Sequence, residues 1–361
     1  MGMGDLLSAP LKGSSFKGFH YLMLLTFLIL QLFNSLTGAS LYAQEPFYKG
    51  KTLRIVVGFS AGGGFDTYAR AISRHMHKHI PGNPSVVVEN MTGAGSLIAA
   101  NHVYKVAKPD GLTMGHFIGG LFVQQLLGRP GIEFDAHKFE YVGTPVDDKP
   151  VCALTKASGV TSVEKWLASK TPVKLGGTAP GSNTDDVPKI LRAALGLPIQ
   201  LVTGYKGTSD IRLAAESGEL AGGCWGWDSI KATWRKGIES GDAAVVLQTL
   251  PKRHPDLPKV PLAIDLAKSD EARQLIQAGI HDVSAVIRPY VLPPGTPKER
   301  VEIIRRAFLD TMKDREFLAD ADKSKLDIEP LTGDELEKTV TGFFKLHSSV
   351  VAKLKAALEA K

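Results

Sequence analysis

The chain has 361 residues, of which 43% are hydrophobic and 22% charged, and its formal net charge is +6. That charge is mild for this length, and no stripe of Arg and Lys interleaved with aromatic residues is present, so the composition disfavours nucleic-acid binding. The two cysteines, Cys152 and Cys224, are too far apart in sequence to build a cysteine-based metal site.

Residues 1–43 have the pattern of a secretory signal peptide. Lys12 and Lys17 precede an apolar run from Tyr21 to Phe33, and small residues follow up to Ala43. We expect cleavage after Ala43, with Ala39 as the alternative site. The other interpretation is an uncleaved N-terminal anchor, which the shortness of the apolar run disfavours. The pattern predicts a soluble periplasmic protein without a lipid anchor.

Residues 44–145 alternate between strand and helix patterns. Consecutive strands that are joined through helices form a parallel sheet with helices on its faces. The predicted elements are strand Thr52–Val57, helix Asp66–His79, strand Ser85–Glu89, helix Ser96–Val106 and strand Thr113–Ile118.

A second series of strands and helices follows in residues 146–262 and ends in the Pro-rich stretch Pro251–Pro261, which favours a linker. Residues 263–361 add a predicted strand at Val283–Leu292 and helices at Lys298–Met312 and Gly333–Leu354. The predicted elements of the second series are strand Val151–Leu154, helix Ser162–Ser169, strand Val173–Gly176, helix Asp185–Leu195, strand Ile199–Thr203, helix Ser209–Ser217 and strand Leu220–Trp225.

These series predict an α/β protein of two lobes, in keeping with the roughly 150 residues typical of a domain. Residues 44–145 form the first part of lobe one, residues 146–262 form lobe two, and residues 263–361 return to lobe one and supply the C-terminal helices. The loops Gly58–Phe65 and Gly176–Asp186 each follow a strand and lead into a helix. Ligands bind outside the carboxyl ends of such strands, and helix N-termini bind anions. We therefore expect an anion site in a cleft between the lobes.

Residues 58–62, GFSAG, also match the G-x-S-x-G pattern of a hydrolase nucleophile elbow, with Ser60 as nucleophile. Three features argue against that interpretation. Glycines delay the helix start to Asp66. The strand opens the mature chain rather than lying deep in a sheet, and no histidine stands in a stretch that marks a catalytic base. We expect Ser60 to belong to an anion-binding loop and the protein not to be an enzyme. A secreted serine esterase is the alternative.

Nucleotide, cofactor and metal sites are disfavoured by three further patterns. The first loop lacks the Gly-Lys-Ser/Thr ending of a P-loop, and Ile98 occupies the third glycine position of a G-x-G-x-x-G pattern that starts at Gly93. Of the histidines in RHMHKHI, His75 and His79 share a helix face, but two ligands make an incomplete metal site. We expect a solvated histidine face, no cofactor and no metal.

Two features stay open at the sequence level. Trp225 and Trp227 flank Gly226, and such rings belong either to the core or to the wall of a ligand site. Cys152 and Cys224 lie in strand-like stretches of an exported chain, so they either form a disulfide or are two small buried side chains.

Four segments, FYKGKTLRIVVGFSAGGGFDTYAR, VVVENMTGAGSLIAANHVYKVAKPDGLTM, YKGTSDIRLAAESGEL and VLPPGTPKERVEIIRRAF, resemble the Bug-type extracytoplasmic solute receptors of tripartite tricarboxylate transporters. The likeness covers nearly all of the chain after the leader, in order. It implies a two-lobed periplasmic binding protein of the Venus flytrap kind, type 2-like, which closes around a small carboxylate. It also implies delivery of that solute to the membrane permease subunits of a tripartite transporter. We expect a monomer; an orphan receptor that feeds a signalling sensor is a further alternative.

The resemblance also implies which residues bind the ligand, largely through backbone groups of facing loops. Two of these residues, Trp227 and Asp228, follow the predicted strand that contains Trp225. The implied ligand-binding residues are Ser60, Ala61, Gly62, Gly64 and Asp66 in lobe one, and Gly181, Ser182, Asn183, Thr184, Tyr205, Lys206, Gly207, Trp227 and Asp228 in lobe two.

This chain departs from the family pattern at two places in lobe two. Asp185 and Asp186 stand where the family usually has a Ser-His-like run, and the sequence GGCWGWD replaces an aliphatic strand. The tryptophans favour a bulkier or aromatic acid, whereas the two aspartates suit a ligand that carries an amine. The sequence leaves the choice open.

Overall fold

The computed structural model describes residues 23, 25, 26 and 45–360. The predicted signal peptide lies almost entirely outside the described residues. Within them, no helix combines the length and the apolar character that crossing a membrane requires.

Eleven strands form two sheets in the described part of the chain, one of six strands and one of five. Most of the strands are buried along much of their length, as is typical of sheets covered by helices, whereas the edge strand Ser85–Asn90 is largely exposed. The strands are β1 (Thr52–Val57), β2 (Ser85–Asn90), β3 (Thr113–His116), β4 (Glu140–Thr144), β5 (Pro150–Thr155), β6 (Val173–Gly176), β7 (Ile199–Val202), β8 (Gly222–Gly226), β9 (Ala243–Gln248), β10 (Tyr290–Leu292) and β11 (Leu331–Thr332).

Fifteen α-helical segments accompany these strands in residues 45–360. Several begin directly after a glycine-containing loop that follows a strand. The helices are α1 (Gly64–Met76), α2 (Leu97–Lys105), α3 (Gly120–Leu126), α4 (Val163–Leu167), α5 (Asn183–Leu195), α6 (Thr208–Glu216), α7 (Trp227–Thr233), α8 (Arg235–Ser240), α9 (Ala263–Leu266), α10 (Asp270–Ile276), α11 (Asp282–Ser284), α12 (Lys298–Lys313), α13 (Arg315–Lys323), α14 (Gly333–Phe343) and α15 (Ser348–Glu359).

The first sheet has the order β11-β4-β10-β3-β1-β2, and the second has the order β7-β6-β8-β5-β9. In the first, β1 pairs in parallel with β2 and β3, as expected for strands joined through α1 and α2. In the second, β6 pairs in parallel with β7 and β8, whereas β5 runs antiparallel to β8 and β9. The chain passes to the second sheet between β4 and β5 and returns between β9 and β10. Both crossings bring their segments to the region between the sheets.

Two predicted elements differ from the structure. The strand expected at Val283–Leu292 is limited to β10, and its first part is helical in α11. An apolar run alone does not distinguish a buried helix from a strand, which explains the error. The helix expected at Gly333–Leu354 is two helices, because the chain turns between α14 and α15, where His347 caps the second helix.

The C-terminal segment also packs differently from its predicted place in lobe one. Helices α12 and α14 do contact β4 of the first sheet, but α10 and α15 pack against α5, which covers the second sheet. At Gly279, Ile190 of α5 and Leu354 of α15 approach so closely that a Cβ at this position would lie 2.8 and 3.0 Å from them. The helices within 263–361 therefore serve both sheets.

Cys152 of β5 and Cys224 of β8 are directly opposite each other in the antiparallel ladder and form a disulfide. The choice left open by the sequence is decided by strand pairing, which joins residues that are 72 positions apart. The disulfide links β8, the central strand of the second sheet, to its neighbour β5.

The histidine face of α1 and of the single 3-10 turn that follows it, His77–His79, is not solvated, contrary to the sequence prediction. His75 Nε2 lies 3.1 Å from Asp320 Oδ2, and His79 Nε2 lies 3.3 Å from Asp314 Oδ2, so both rings face α13 and the turn before it. His75, Asp314 and Glu316 bring possible metal-ligand atoms within 4.8 Å of one another. Lys78 Nζ, however, donates to both of those carboxylates. The group is an ion-pair contact between helices.

Candidate ligand-binding site

The loop between β1 and α1 is held in shape by Asp66. The Gly62 N–H and the Asn90 Nδ2 donate to its two carboxylate oxygens, each at 2.9 Å, and Arg70 Nε donates at 2.8 Å. Burial opposes the ionisation of this carboxyl group, but the hydrogen bonds from Arg70, Gly62 and Asn90 outweigh it and lower the pKa of Asp66. The positive φ of Gly62, 76°, completes the turn. Asp66 therefore fixes the conformation of this loop.

The facing loop, between β6 and α5, is held by its own hydroxyl groups. Thr178 Oγ1 lies 2.8 Å from Ser182 Oγ and 3.0 Å from Thr184 Oγ1, and the Thr178 N–H donates to the same Thr184 oxygen. Asp186 accepts the Gly181 N–H at 3.0 Å, and Asp185 accepts the Thr203 hydroxyl at 3.0 Å. Both aspartates bond within the loop region, although Asp186 Oδ1 is buried without a partner. Neither lines the cavity between the sheets, so the structure gives no support to the amine ligand suggested by the sequence.

A cavity lies between the two sheets at the ends of these loops. It has about 430 Å³ of empty space, part of it open to solvent. A volume of that size holds a few waters or one small ligand. Its lining mixes aromatic and aliphatic side chains with hydroxyl, amide and charged groups: Phe59, Gly63, Gly64, Phe65, Ile118, Asp148, Thr178, Ser182, Asn183, Thr184, Thr208, Trp225, Gly226, Ser229, Ile287 and Arg288.

Three helices begin at this cavity. Gly64, Asn183 and Thr208 are the first residues of α1, α5 and α6, and all three line it. Helix N-termini carry unpaired N–H groups and a partial positive charge. One helix comes from the first sheet and two come from the second, so the positive ends of both halves of the molecule meet at one place.

Arg288 is the positively charged side chain of the lining and is only 2% exposed. It lies just before β10, and its Nε donates to Asp148 Oδ1 at 2.8 Å, in the segment between β4 and β5. Its Nη2 donates to Ser229 Oγ at 2.7 Å. The guanidinium also lies over the rings of Phe65 and Tyr68, at 4.9 and 5.0 Å from their centres. Arg288 thus joins both crossing segments to α1 and α7.

Asp228 lies behind Arg288 and is fully buried. Its Oδ2 is 3.6 Å from Arg288 Nη2 and 3.0 Å from the Tyr68 hydroxyl, which is also 2.8 Å from the Asp327 carbonyl oxygen. Burial raises the pKa of Asp228, although Arg288 opposes this. Asp228 does not line the cavity. Its carboxylate instead helps to hold the Arg288 guanidinium in position.

Four of the predicted ligand-binding residues line the cavity, and they come from both facing loops. Two others, Ser60 and Gly207, meet at its rim, where a Cβ on Gly207 would lie 2.3 Å from Ser60 Oγ. The Ser60 N–H donates to the Lys206 carbonyl oxygen at 3.1 Å, while the Lys206 side chain is exposed. The four lining residues are Gly64, Ser182, Asn183 and Thr184.

The remaining predicted positions lie outside the lining. Ala61 accepts a hydrogen bond from Ser209, and Gly62 and Gly181 donate to loop aspartates. The Tyr205 hydroxyl donates to Glu219, and the Trp227 indole donates to Asp256 at 2.9 Å. Trp227 is therefore a core residue here, whereas Trp225 both stacks on Trp234 and lines the cavity.

Ser60 has no catalytic surroundings in the described residues. Its hydroxyl donates to Asp210 Oδ2 at 2.8 Å and lies 3.1 Å from Ser209 Oγ, and no histidine is among its hydrogen-bond partners there. In a Ser-His-Asp triad the base that activates the serine is a histidine, with the carboxylate behind it. The contacts instead join the first loop to the start of α6.

Sequence reasoning missed most of the lining, and above all Arg288 and Asp148. A signal was present, because Arg288 is a lone charge inside the apolar run Val283–Leu292. A buried charge of that kind requires a partner. The partner, Asp148, is 140 positions away, and no local pattern joins the two.

Comparison with known proteins places the chain in a family. A family model described as tripartite tricarboxylate transporter family receptor matches residues 68–341. A Cupriavidus necator protein described as UPF0065 protein in gbd 5'region is 26% identical over 323 residues, which cover 86% of this chain and 90% of that protein.

Solved structures are similar in fold at low sequence identity. The periplasmic binding protein BugD has a TM-score of 0.69 at 21% identity and covers 86% of this chain and 98% of its own. MatC from Rhodopseudomonas palustris, with bound malate, has a TM-score of 0.65 at 19% identity, and the match covers 86% of this chain and 99% of MatC. Another R. palustris protein, with adipate, has a TM-score of 0.68 at 20% identity, and the match covers 84% of this chain and 97% of that protein.

These matches confirm the predicted α/β fold of a two-lobed periplasmic binding protein. The family model spans about three quarters of the chain, including both cavity loops of the second sheet and most of α1. The family and the fold are those of solute-binding receptors. The protein therefore belongs to the tripartite tricarboxylate transporter receptor family, as the sequence resemblance predicted.

Proposed function

We propose that the protein is a periplasmic receptor that captures a small carboxylate between its lobes and delivers it to the permease subunits of a tripartite transporter. The observation that carries this proposal is the convergence of three helix N-termini on one cavity. Helices α1 and α5 have 13 residues each and α6 has nine, so all three are long enough for a developed dipole.

The cavity suits an organic acid better than a neutral sugar or a cation. Each helix N-terminus favours negative charge by about 0.3–1 kcal/mol when exposed, and by more when partly buried. The aromatic and aliphatic side chains Phe59, Phe65, Ile118 and Ile287 provide an apolar surface for a carbon skeleton. The malate and adipate in two structurally similar proteins support the same class of ligand.

The proposed location and partners rest on the family and on the leader pattern. An N-terminal signal peptide fits a receptor that acts outside the cytoplasm. We propose a monomer that is not an enzyme and does not bind nucleic acid. The hydrogen bonds of Ser60 give the esterase alternative no support, and no feature of the described residues favours a signalling role.

A binding screen tests this function. Purified protein is denatured first to release and identify any copurified molecule by mass spectrometry, and ligand-free protein is then titrated calorimetrically with carboxylates, sugars and amides. We expect binding of carboxylates alone. Binding confined to sugars or to amides would refute the proposal. Delivery is tested separately, by uptake of the labelled ligand into cells that carry a tripartite permease with and without the receptor.

A further inference from the structure

Two buried N–H donors among the residues that line the cavity have no hydrogen-bond partner within the described chain: Arg288 Nη1 and Trp225 Nε1. Arg288 is 2% exposed and Trp225 is 3% exposed. Buried donors are rarely left unpaired, since losing the hydrogen bonds to water without replacement is unfavourable. Two such donors around one cavity therefore indicate that its ligand supplies acceptors.

The other nitrogens of Arg288 are already committed, which fixes the role of Nη1. Nε and Nη2 hold Asp148 and Ser229 at 2.7–2.8 Å. Nη1 lies near the first residue of α1, because a Cβ on Gly64 would be 3.4 Å from it. The guanidinium end and the α1 N-terminus thus lie side by side, and together they suit one carboxylate group.

The carboxylate that lines the cavity, Asp148, is paired with the charge of Arg288, and both of its oxygens already accept hydrogen bonds. Its Oδ1 is bound by Arg288, and its Oδ2 accepts a hydrogen bond from Asn183 Nδ2. The hydroxyl groups of Thr178, Ser182 and Thr184 are bonded to one another. A ligand ammonium group has three donors and no acceptor, so it would meet donors and helix N-termini here.

We infer that Arg288 Nη1 and Trp225 Nε1 donate directly to the ligand, and that the receptor selects carboxylates without an ammonium group over the corresponding amino acids. This inference rests on the proposed carboxylate-receptor function. It assigns the recognition of the acid to two side chains of this sequence, in addition to the backbone of the loops. Asp148, Ser229 and Asp228 position Arg288.

The first test uses pairs of probes that differ at one group. Ligand-free protein is titrated by calorimetry with malate and aspartate, 2-oxoglutarate and glutamate, adipate and 2-aminoadipate, and phenylpyruvate and phenylalanine. We expect the member without the amine to bind at least tenfold more tightly in every pair that binds. Equal or tighter binding of the amino acid would refute the inference and leave the proposed function standing. Binding of no carboxylate at all would refute both.

The second test removes the donors one at a time, with the best-binding probe. Trp225→Phe keeps an aromatic ring but loses the N–H together with the rest of the five-membered ring, and Arg288→Lys keeps a positive charge for Asp148 and loses Nη1. We expect each to weaken binding by about 10- to 100-fold, as for loss of a hydrogen bond to a charged group. Trp227→Phe is the matched control, because its indole donates to Asp256 outside the cavity lining.

Thermal melts of all three variants without ligand separate misfolding from loss of binding. Trp225→Phe is the decisive variant, since it removes no charge from the core. Wild-type affinity in a folded Trp225→Phe protein and a folded Arg288→Lys protein would overturn the direct contacts. Equal losses in Trp225→Phe and Trp227→Phe would also overturn them, because the effect would then be one of packing.

Discussion

At the scale of single residues, the molecule keeps a buried charge group next to its cavity. Arg288, Asp148 and Asp228 are each at most 2% exposed. Transferring such charges from water is costly, and pairing them often only balances that cost. Well-packed apolar side chains in their place would add stability but could not bind a ligand carboxylate. We therefore interpret the three charges as a means of holding the Arg288 guanidinium at the ligand.

Ser60→Ala tests the esterase alternative at the same scale. We expect neither the wild type nor the variant to hydrolyse ester substrates above background, since the serine hydroxyl is bound to Asp210 and not to a histidine. Loss of a true nucleophile lowers the rate by several decades, on the order of 10⁶ in a serine protease. Hydrolysis by the wild type that disappears in Ser60→Ala would contradict the receptor function.

His116 makes the stability depend on pH. The ring is fully buried, its Nδ1 lies 3.0 Å from the Pro289 carbonyl oxygen, and it stacks on Tyr290 at 4.0 Å. Burial lowers the pKa of His116 from 6.5 to about 3, so the folded state keeps the ring neutral where the unfolded state binds a proton. The neutral ring therefore makes its full contribution to the free energy of unfolding above about pH 6.5. That contribution falls as the pH drops towards 3.

We expect this residue to account for about 2 kcal/mol of stability lost between pH 7 and pH 5. Urea unfolding of the wild type and of His116→Gln at these two pH values measures it. The glutamine keeps an N–H for the Pro289 carbonyl but does not titrate, so its pH dependence should be shallower by that amount. Parallel curves for the two proteins would show that another group is responsible.

At the scale of elements, glycines let helices from the two sheets approach each other. A Cβ on Gly64 would lie 1.9 Å from Ser229 Oγ, so the first turn of α1 fits against α7 only without a side chain. Another close approach joins α3 to the second loop, where a Cβ on Gly120 would be 2.0 Å from the Gly181 carbonyl oxygen. The space for the ligand depends on these contacts.

Gly64→Ala is therefore expected to displace Ser229 and with it Arg288. Overpacking of this kind costs about 1–3 kcal/mol of stability, and we expect at least a tenfold loss of carboxylate affinity. Gly342→Ala in α14 is the matched control, because no atom lies within 4 Å of its Cβ position. Calorimetry and melting curves compare the two variants. Wild-type affinity in Gly64→Ala would mean that the α1 terminus is not part of the site.

The disulfide between β5 and β8 is the covalent link within the second sheet. In the chain-entropy account, closing a loop of this length stabilises the fold by about 4 kcal/mol, and measured values are often 2–4 kcal/mol. We expect the double variant Cys152→Ser, Cys224→Ser to lose about that much in urea unfolding. Wild type treated with a reductant should lose a similar amount. An unchanged unfolding midpoint would show that the sheet does not need the link.

At the scale of the whole molecule, the cavity is closed over by contacts between the two sheets. The Ser60 N–H donates to the Lys206 carbonyl oxygen, and the Gly64 N–H lies 3.5 Å from Thr208 Oγ1. These loop contacts join the two sides of the cavity directly. A ligand between them adds bonds to both sides, so it favours the closed arrangement.

Carboxylate binding is therefore expected to compact and stabilise the protein. A ligand at 100 times its Kd stabilises the folded form by about 2.7 kcal/mol, which for a chain of this size raises the Tm by several degrees. Thermal shift and small-angle scattering, with and without the best-binding acid, measure the two effects. A rise in Tm without any decrease in the radius of gyration would mean that binding does not close the lobes.

The local pattern of the sequence was sufficient for much of the fold. Strand β1, the loop to α1, and the second loop before α5 were predictable, because apolar periodicity and glycine-rich turns are local properties. The convergence of these loops followed from a general rule for α/β sheets. Four of the cavity residues, including Gly64 and Asn183, were named on this basis together with the family resemblance.

The rest depended on residues that only the tertiary structure brings together. Arg288 pairs with Asp148, which is 140 positions away in sequence, and Cys152 pairs with Cys224, which is 72 positions away. The order of the strands and the crossings of the chain between the sheets decide such pairs. The rings of Trp225 and Trp227 looked equivalent in sequence, but β8 ends at Gly226 and α7 begins at Trp227, so the two side chains point into different surroundings. Which donors a buried cavity leaves unpaired is fixed by packing, and packing is a property of the folded chain.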